Sequence, residues 1–303
     1  AAGVVGAAGA AGAPAQSSAF APGDLLLNSP ATKCISIGCG SILRIDPLTG
    51  AATELVALDS QYAWGGNLCY DPYRDAVLFY AAIAGQSARL RLLDSSGALS
   101  DLGYSSITLH ALAPGAGGKI YVRTATGSQV EPLRYLDAAN VLQVLFDSSG
   151  TTPFTLPGIH ELSDMAYDAG SNALLLAFRD GTPAACGGPS AGIVVKRLPL
   201  SADGTRVAGP VGCAEFVVDP LGAARPVGFS RMPGGQFMLV VDTNSNEAQA
   251  RMLVVDPVTL AISPFASNGP YLGAAATNAG TWSSALGGAV VLDTFNDVLR
   301  AFG

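Results

Sequence analysis

Residues 41–58, SILRIDPLTGAATELVAL, constrain the fold more than any other stretch of the chain. An apolar run stops at Asp46-Pro47, turns through Thr49-Gly50 and restarts as a second, alternating run. Residues 252–266, MLVVDPVTLAISPFA, repeat the arrangement far downstream. In such a turn the aspartate caps backbone N–H groups, proline fixes φ, and glycine accepts a positive φ. Two alternating runs joined this way form a β-hairpin, and a hairpin that recurs marks a repeated unit.

The unit is longer than the hairpin. A small or apolar run, a Gly- or Pro-rich turn and a strongly apolar run recur as AFAPGDLLL (19–27), LCYDPYRDAVLFY (68–80), ALAPGAGGKIYV (111–122), MAYDAGSNALLLAF (165–178), GFSRMPGGQFMLVV (228–241) and TWSSALGGAVVL (281–292). Third runs follow as ILRIDPLTG, LRLLDSSG, LRYLDAAN, VVKRLPLSADG, MLVVDPVTL and DVLRAFG, and in most units a fourth run comes after. No window carries a capped i, i+3, i+4, i+7 apolar pattern, so helix is not expected. Four short strands repeated about every 40–50 residues are the signature of a β-propeller. The expectation is an all-β, six-bladed β-propeller with four-stranded antiparallel blades, forming a single domain over residues 19–303. A seventh blade would require an extra unit within 180–225. Asp46, Asp94, Asp137 and Asp256 fall at matching hairpin turns and are expected as turn caps spread around the rim, not as metal ligands.

Residues 1–18 are rich in Ala and Gly. The expectation is that SSAFAPG supplies the innermost strand of the first unit. The segment before it is then expected to close the ring as a strand on the outer edge of the last blade, where an open edge would otherwise stand unpaired. The alternative is a low-complexity tail. Donated to a neighbouring copy, the same strand would provide a route to self-assembly.

GDLLL, ILRIDPLTGAATEL and LCYDPYRDAVLFY resemble the blades of six-bladed propellers of the TolB-like, NHL and SMP-30 type. The likeness is one of pattern over most of residues 19–302. It implies a central channel lined by the innermost strands, with the loops entering those strands forming one face. By blade position, Trp64, Asn67, His110, His160, Glu161, Asp164, Arg225 and Asn278 are the candidate ligand-binding residues at that mouth. SMP-30-like hydrolases bind a divalent ion through Glu, Asn and Asp side chains, which would cast Asn67, Glu161 and Asp164 as ligands. The competing expectation is that these groups only hydrogen-bond strand ends and channel water.

Other motifs carry less. HELSD (160–164) lacks the second histidine of a zinc protease, and APGAGGK (113–119) lacks the hydroxyl residue that follows the lysine of a phosphate loop. A net charge of −7 with only 16 Lys and Arg argues against nucleic acid and anionic membrane surfaces as partners. The charge-free stretches at 1–23 and 257–292 are broken by Pro, Asn, Ser and Gly, so no membrane span is expected. Cys34 and Cys39 bracket a small loop, and Cys186 and Cys213 flank a strand-like run. Both pairs are expected as disulfides, with Cys69 a buried free thiol. This places the chain in an oxidising compartment: secreted, periplasmic or cell surface. The favoured expectation is a non-catalytic module that binds a protein or small-molecule ligand and needs no cofactor. The alternative is a metal-assisted hydrolase or lyase using a divalent cation such as Ca²⁺ at the channel mouth.

Overall fold

The strands gather into six sheets, each built from consecutive pieces of chain. A computed structural model describes residues 4–6, 19–20, 23–29, 40–58, 68–81, 83, 89–104, 108–125, 132–155, 161–179, 186, 193–216, 224–243, 251–265, 277–293 and 298–302. Blade one holds Val4–Gly6 (β1), Leu25–Ser29 (β2), Gly40–Ile45 (β3) and Ala52–Leu58 (β4). Blade two holds Cys69–Asp71 (β5), Ala76–Ala81 (β6), Arg89–Asp94 (β7) and Leu99–Asp101 (β8). Blade three holds Thr108–Pro114 (β9), Ile120–Ala125 (β10), Arg134–Leu136 (β11) and Leu142–Val144 (β12). Blade four holds Glu161–Asp168 (β13), Ala173–Arg179 (β14), Ile193–Pro199 (β15) and Gly212–Phe216 (β16). Blade five holds Ala224–Arg231 (β17), Phe237–Thr243 (β18), Arg251–Val255 (β19) and Ile262–Pro264 (β20). Blade six holds Thr277–Ser283 (β21), Gly288–Asp293 (β22) and Val298–Phe302 (β23). The chain is therefore an all-β, six-bladed propeller with antiparallel blades, five of four strands and one of three among the described residues.

Strand alternation explains why the blades stack. On β6, Val77 and Phe79 pack towards blade one, while Leu78 packs towards blade three. Every seam between neighbouring blades carries its own apolar cluster, because both faces of each sheet are covered. The second strands are accordingly the most buried elements, as with Leu174, Leu175 and Leu176, all at 0% exposure. They read as continuous apolar runs instead of alternating ones.

The hairpin aspartates behave as expected. Asp46 Oδ1 accepts from the N–H groups of Leu48 and Thr49 at 2.8 and 3.2 Å, and Asp256 Oδ1 from those of Val258 and Thr259 at 2.9 and 2.8 Å. Asp94 and Asp137 make the same bonds two and four residues on. These backbone donors head the causes that hold Asp46, Asp137 and Asp256 below the usual carboxylate range; for Asp94 the Ser96 hydroxyl comes first. Gly50, Gly97 and Asn140 close their turns at φ of 72°, 88° and 63°. Leu260 takes the same place at φ 60° despite its branched side chain, which is buried between blades four and five. That left-handed conformation is strained for leucine and is held by the packing.

The N-terminal segment departs from expectation in two ways. The innermost strand of blade one is β1, with Val4, Val5 and Gly6 opposite Leu27, Leu26 and Leu25. SSAFAPG does not supply it. Within that stretch, Phe20 is buried against blade two, edge-on to Tyr70 at 6.2 Å, and the Ala19 N–H donates to Ser95 O. Nor does β1 cover the outer edge of blade six. It lies at the ring centre, touching β21 on one side and β5 on the other. The reason is geometric: the inner ring needs a sixth strand between β21 and β5, and β2 offers the free edge that receives it. Closure therefore occurs at the channel and not at the rim.

Of the two expected disulfides, Cys186–Cys213 is formed, with Cα atoms 5.6 Å apart. It ties the β14–β15 connection to the outermost strand of the same blade. Cys34 and Cys39 lie outside the described residues. Cys69 is a free, buried thiol, as expected. No helix among the described residues is long and apolar enough to cross a membrane.

Candidate functional site

The innermost strands share an irregularity that the sequence does not announce. Opposite β10, Ala111 pairs with Arg123 and Leu109 with Thr124, so His110 is an extra residue, a β-bulge. The same slip occurs at Ser163 on β13, Val227 on β17 and Asn278 on β21. A bulge reverses the in–out phase of the strand beyond it and recurs next to functional sites. Here four blades place one at the same level of the channel.

Counting from the bulge organises the channel. Four residues further on stand Pro114, Tyr167, Arg231 and Trp282, opposite Ile120, Leu174, Phe237 and Ala289 respectively. Tyr70 occupies the matching place on β5, opposite Val77. These five residues ring one mouth of the channel, on the face that carries the first-to-second-strand hairpins. Below them a cavity of about 330 Å³ runs inwards past Cys69, Ala166, Ser230 and Thr281 as far as Asp164 and Gly228.

Two of the rim positions are locked by a shared device. The Tyr70 hydroxyl donates to Asp75 Oδ1 and the Tyr167 hydroxyl to Asn172 Oδ1, both at 2.8 Å. Asp75 and Asn172 hold φ of 48° and 46° at matching places in their hairpins. Burial first, and then the Asp75 bond, push the Tyr70 phenol up to about 12. Burial also raises Tyr167, followed by the charge of Asp168. Both phenols therefore stay neutral hydroxyls across the biological pH range and line the mouth of the cavity. On the opposite wall the backbone N–H of Trp282 donates to Ser230 Oγ at 2.9 Å, linking blades five and six. There Gly228 and Gly280 allow close approach: a Cβ on Gly228 would lie 2.0 Å from Gly280 O.

The deeper groups are few. Asp164 is 8% exposed and its Oδ1 accepts from the Met165 N–H at 2.8 Å. The Cys69 thiol is held well above its ordinary range, first by burial and then by the charges of Asp71 and Asp164. It is thus a protonated wall group and not a nucleophile. Among the described residues no three His, Cys, Asp or Glu side chains stand together as a metal site.

Of the residues singled out from sequence, Asp164 alone is placed by the described cavity. His110 and Asn278 are both bulge residues, Arg225 is the second residue of β17, and Glu161 opens β13. These four lie on the half of the innermost strands that enters from the opposite face. Trp64, Asn67 and His160 lie outside the described residues. The rim of Tyr70, Tyr167, Arg231 and Trp282 was not anticipated. Its only sequence signal is position, four residues beyond a bulge.

No protein-family model matches the sequence, and no curated protein does. Solved structures do match. A Bacteroides thetaiotaomicron protein of unknown function aligns with a TM-score of 0.56 at 11% identity, covering 92% of this chain and 66% of that one. TolB from Acinetobacter baumannii aligns at 0.52 and 10% identity, covering 91% of this chain and 62% of that one. The periplasmic gluconolactonase PpgL of Pseudomonas aeruginosa aligns at 0.52 and 12% identity, covering 92% and 91% of the two chains. The chain spans less than two thirds of the length of the first two proteins. At such identities the likeness is one of fold, and in fold the chain is a six-bladed propeller of the type seen in TolB and the gluconolactonase.

Proposed function

We propose that the protein is a secreted, periplasmic or cell-surface binding module. Its ligand, a small molecule or the end of a peptide, enters the channel mouth ringed by Tyr70, Tyr167, Arg231 and Trp282. The observation that carries this reading is the rim itself. Aromatic faces bury apolar ligand surface at low entropic cost, a guanidinium takes a carboxylate, and the hydroxyls of Ser230 and Thr281 below offer hydrogen bonds. The Cys186–Cys213 bond supports the oxidising compartment. No cofactor enters this reading.

The test uses the fluorescence of Trp282 in a Trp64→Phe background, together with thermal shift. The titrants are free amino acids, short peptides with a free C-terminus, and monosaccharides. A saturable response that disappears in Ala166→Leu, where the cavity is filled, is the expected result. Carboxylate ligands should also weaken in Arg231→Ala. Responses unchanged in both variants, or none with any class, would remove the rim as the site.

One observation favours a second reading, a metal-assisted hydrolase or lyase. The bulge at Ser163 puts Glu161 and Asp164 at register positions of the same parity. With Asn67 they would hold a divalent cation such as Ca²⁺. Stabilisation by Ca²⁺ and lactone turnover, both lost in Glu161→Ala, would move this reading to first place.

A further inference from the structure

Backbone pairing fixes which main-chain groups face the channel. In blade three the Gly115 N–H donates to Lys119 O, and in blade five the Met232 N–H donates to Gln236 O. Each donor is the residue next to a rim position. Bonded and non-bonded pairs alternate along an antiparallel ladder, so Pro114 opposite Ile120 and Arg231 opposite Phe237 are non-bonded pairs. The main-chain N–H and C=O of Arg231, and those of Phe229 two residues before it, therefore turn away from the second strand and towards the channel. Blades six and four agree. The backbone N–H of Trp282 crosses to Ser230 Oγ, and that of Met165, two residues before Tyr167, is taken by Asp164 Oδ1. By the shared register Tyr70 and Tyr167 hold the same orientation.

The mouth thus offers main-chain donors and acceptors in pairs, spaced as another extended chain needs them. Arg231 adds a guanidinium. Its side chain is exposed and forms no ion pair among the described residues. Beneath it Leu68, Leu112, Ala166 and Val227 give the cavity an apolar wall, against which a charged group would lose its water.

Resting on the mouth proposed above as the binding site, we infer that its ligand is the C-terminal end of a protein chain with an apolar last residue. The carboxylate pairs with the Arg231 guanidinium, and the last peptide group bonds to the main chain of Phe229 and Arg231. The last side chain enters the cavity, and the rest of the ligand leaves through the mouth. Other ligands match less of this arrangement. A monosaccharide lacks the carboxylate, and a free amino acid sets an ammonium, which only donates, where the main chain offers both donors and acceptors.

The probes are fluorescein-labelled octapeptides, identical except at the C-terminus, that end in leucine acid, leucine amide, glycine acid or aspartate acid. Binding to the full chain is read by fluorescence polarisation. The leucine acid should bind. The amide should bind roughly 10-fold or more weakly, the worth of a hydrogen bond to a charged group. Arg231→Gln should erase that difference without changing the melting temperature. Replacing the last leucine by glycine should cost roughly 10–100-fold, and aspartate at least as much. The amides of Phe229 and Arg231 should exchange more slowly in the complex. Equal binding of acid and amide, an acid preference that survives Arg231→Gln, equal binding of the leucine and aspartate peptides, or unprotected Phe229 and Arg231 amides would each overturn the proposal. So would failure of every peptide. If monosaccharides or free amino acids then still give a saturable Trp282 response, the mouth stands as the site and only the peptide assignment falls.

Discussion

Two seams of the ring are closed by different means. Between blades three and four the turns of one blade are bonded to the other. The Phe146 N–H donates to Thr205 O and the Val207 N–H to Phe146 O, so the two outer connections form a small parallel bridge of their own. Tyr121, 1% exposed, sends its hydroxyl across the seam to Gly204 O at 2.9 Å and stacks on Tyr167. Cys186 packs into the same cluster and is covalently tied to Cys213. Between blades six and one, Leu25, Leu27, Ile45 and Val290 form a smaller apolar cluster, and the three-residue β1 lies against β21. The contrast teaches that a propeller need not be uniformly stiff. Among the described residues one seam is fixed by directional bonds, the other by apolar contact and a short strand, so opening is expected to begin at the second.

The largest expected effect comes from Tyr121→Ala. Removing a buried aromatic ring costs about 3–5 kcal/mol, and urea unfolding should show it as a lower midpoint. A loss below about 1 kcal/mol would mean that the seam between blades three and four is not the stiffer one. Reducing Cys186–Cys213 in the folded protein should cost about 3 kcal/mol in the chain-entropy account. Exchange should rise in β15 and β16 and not in β21.

Removing residues 1–6 deletes the strand at the weaker seam. On the order of 2–3 kcal/mol should go with its ladder bonds, and exchange should accelerate in β2 and β21 while β10 and β14 stay protected. If β10 exchanges as fast as β21, the two seams open together and the contrast fails. Tyr121→Phe is a finer probe. It keeps the ring and deletes the bond to Gly204 O, for a loss near 1 kcal/mol.

Acid gives the smallest effect. Hydrogen bonds from Ser201 and Thr205 hold Asp203 at about 2. A carboxylate with a depressed folded value stabilises the fold above its unfolded value, near 3.8, and loses that contribution as pH falls through the folded one. Asp46, in the outer hairpin of blade one, is also lowered, first by the backbone N–H of Leu48 and then by the Thr49 hydroxyl. Carboxyl chemical shifts followed from pH 6 downwards should therefore show Asp203 protonating at a lower pH than an ordinary exposed carboxylate, its stabilising contribution fading between about 3.8 and about 2. Titration of Asp203 together with an ordinary exposed carboxylate would contradict its bonded geometry.

The fold was legible because its determinants are local. Asp-capped turns and apolar second strands state themselves in a few consecutive residues, as in RIDPLTG and NALLLAF. β1 was not legible, since VVG carries no pattern of its own and its place is set by the ring it completes. The Cys186–Cys213 pair could be read from its position around β15. The mouth could not: equivalent positions hold Tyr, Pro, Tyr, Arg and Trp, and the bulge that aligns them is invisible until the strands are paired. The entry ends of the innermost strands, where the sequence pattern puts the candidate residues, hold His110 and Asn278 as bulge residues, and the rim proposed as the site lies four residues further along each strand.

Those bulges also bear on how such a chain can vary. Each is a phase boundary between the two faces of the disc. On the hairpin side of His110, Ser163, Val227 and Asn278 the alternation is pinned by the seam clusters, so a gained or lost residue there would turn core side chains outwards. On the far side an inserted or deleted residue can be absorbed by tightening or relaxing the bulge. The two faces are thus separately editable: one can change length and chemistry while the other keeps its register.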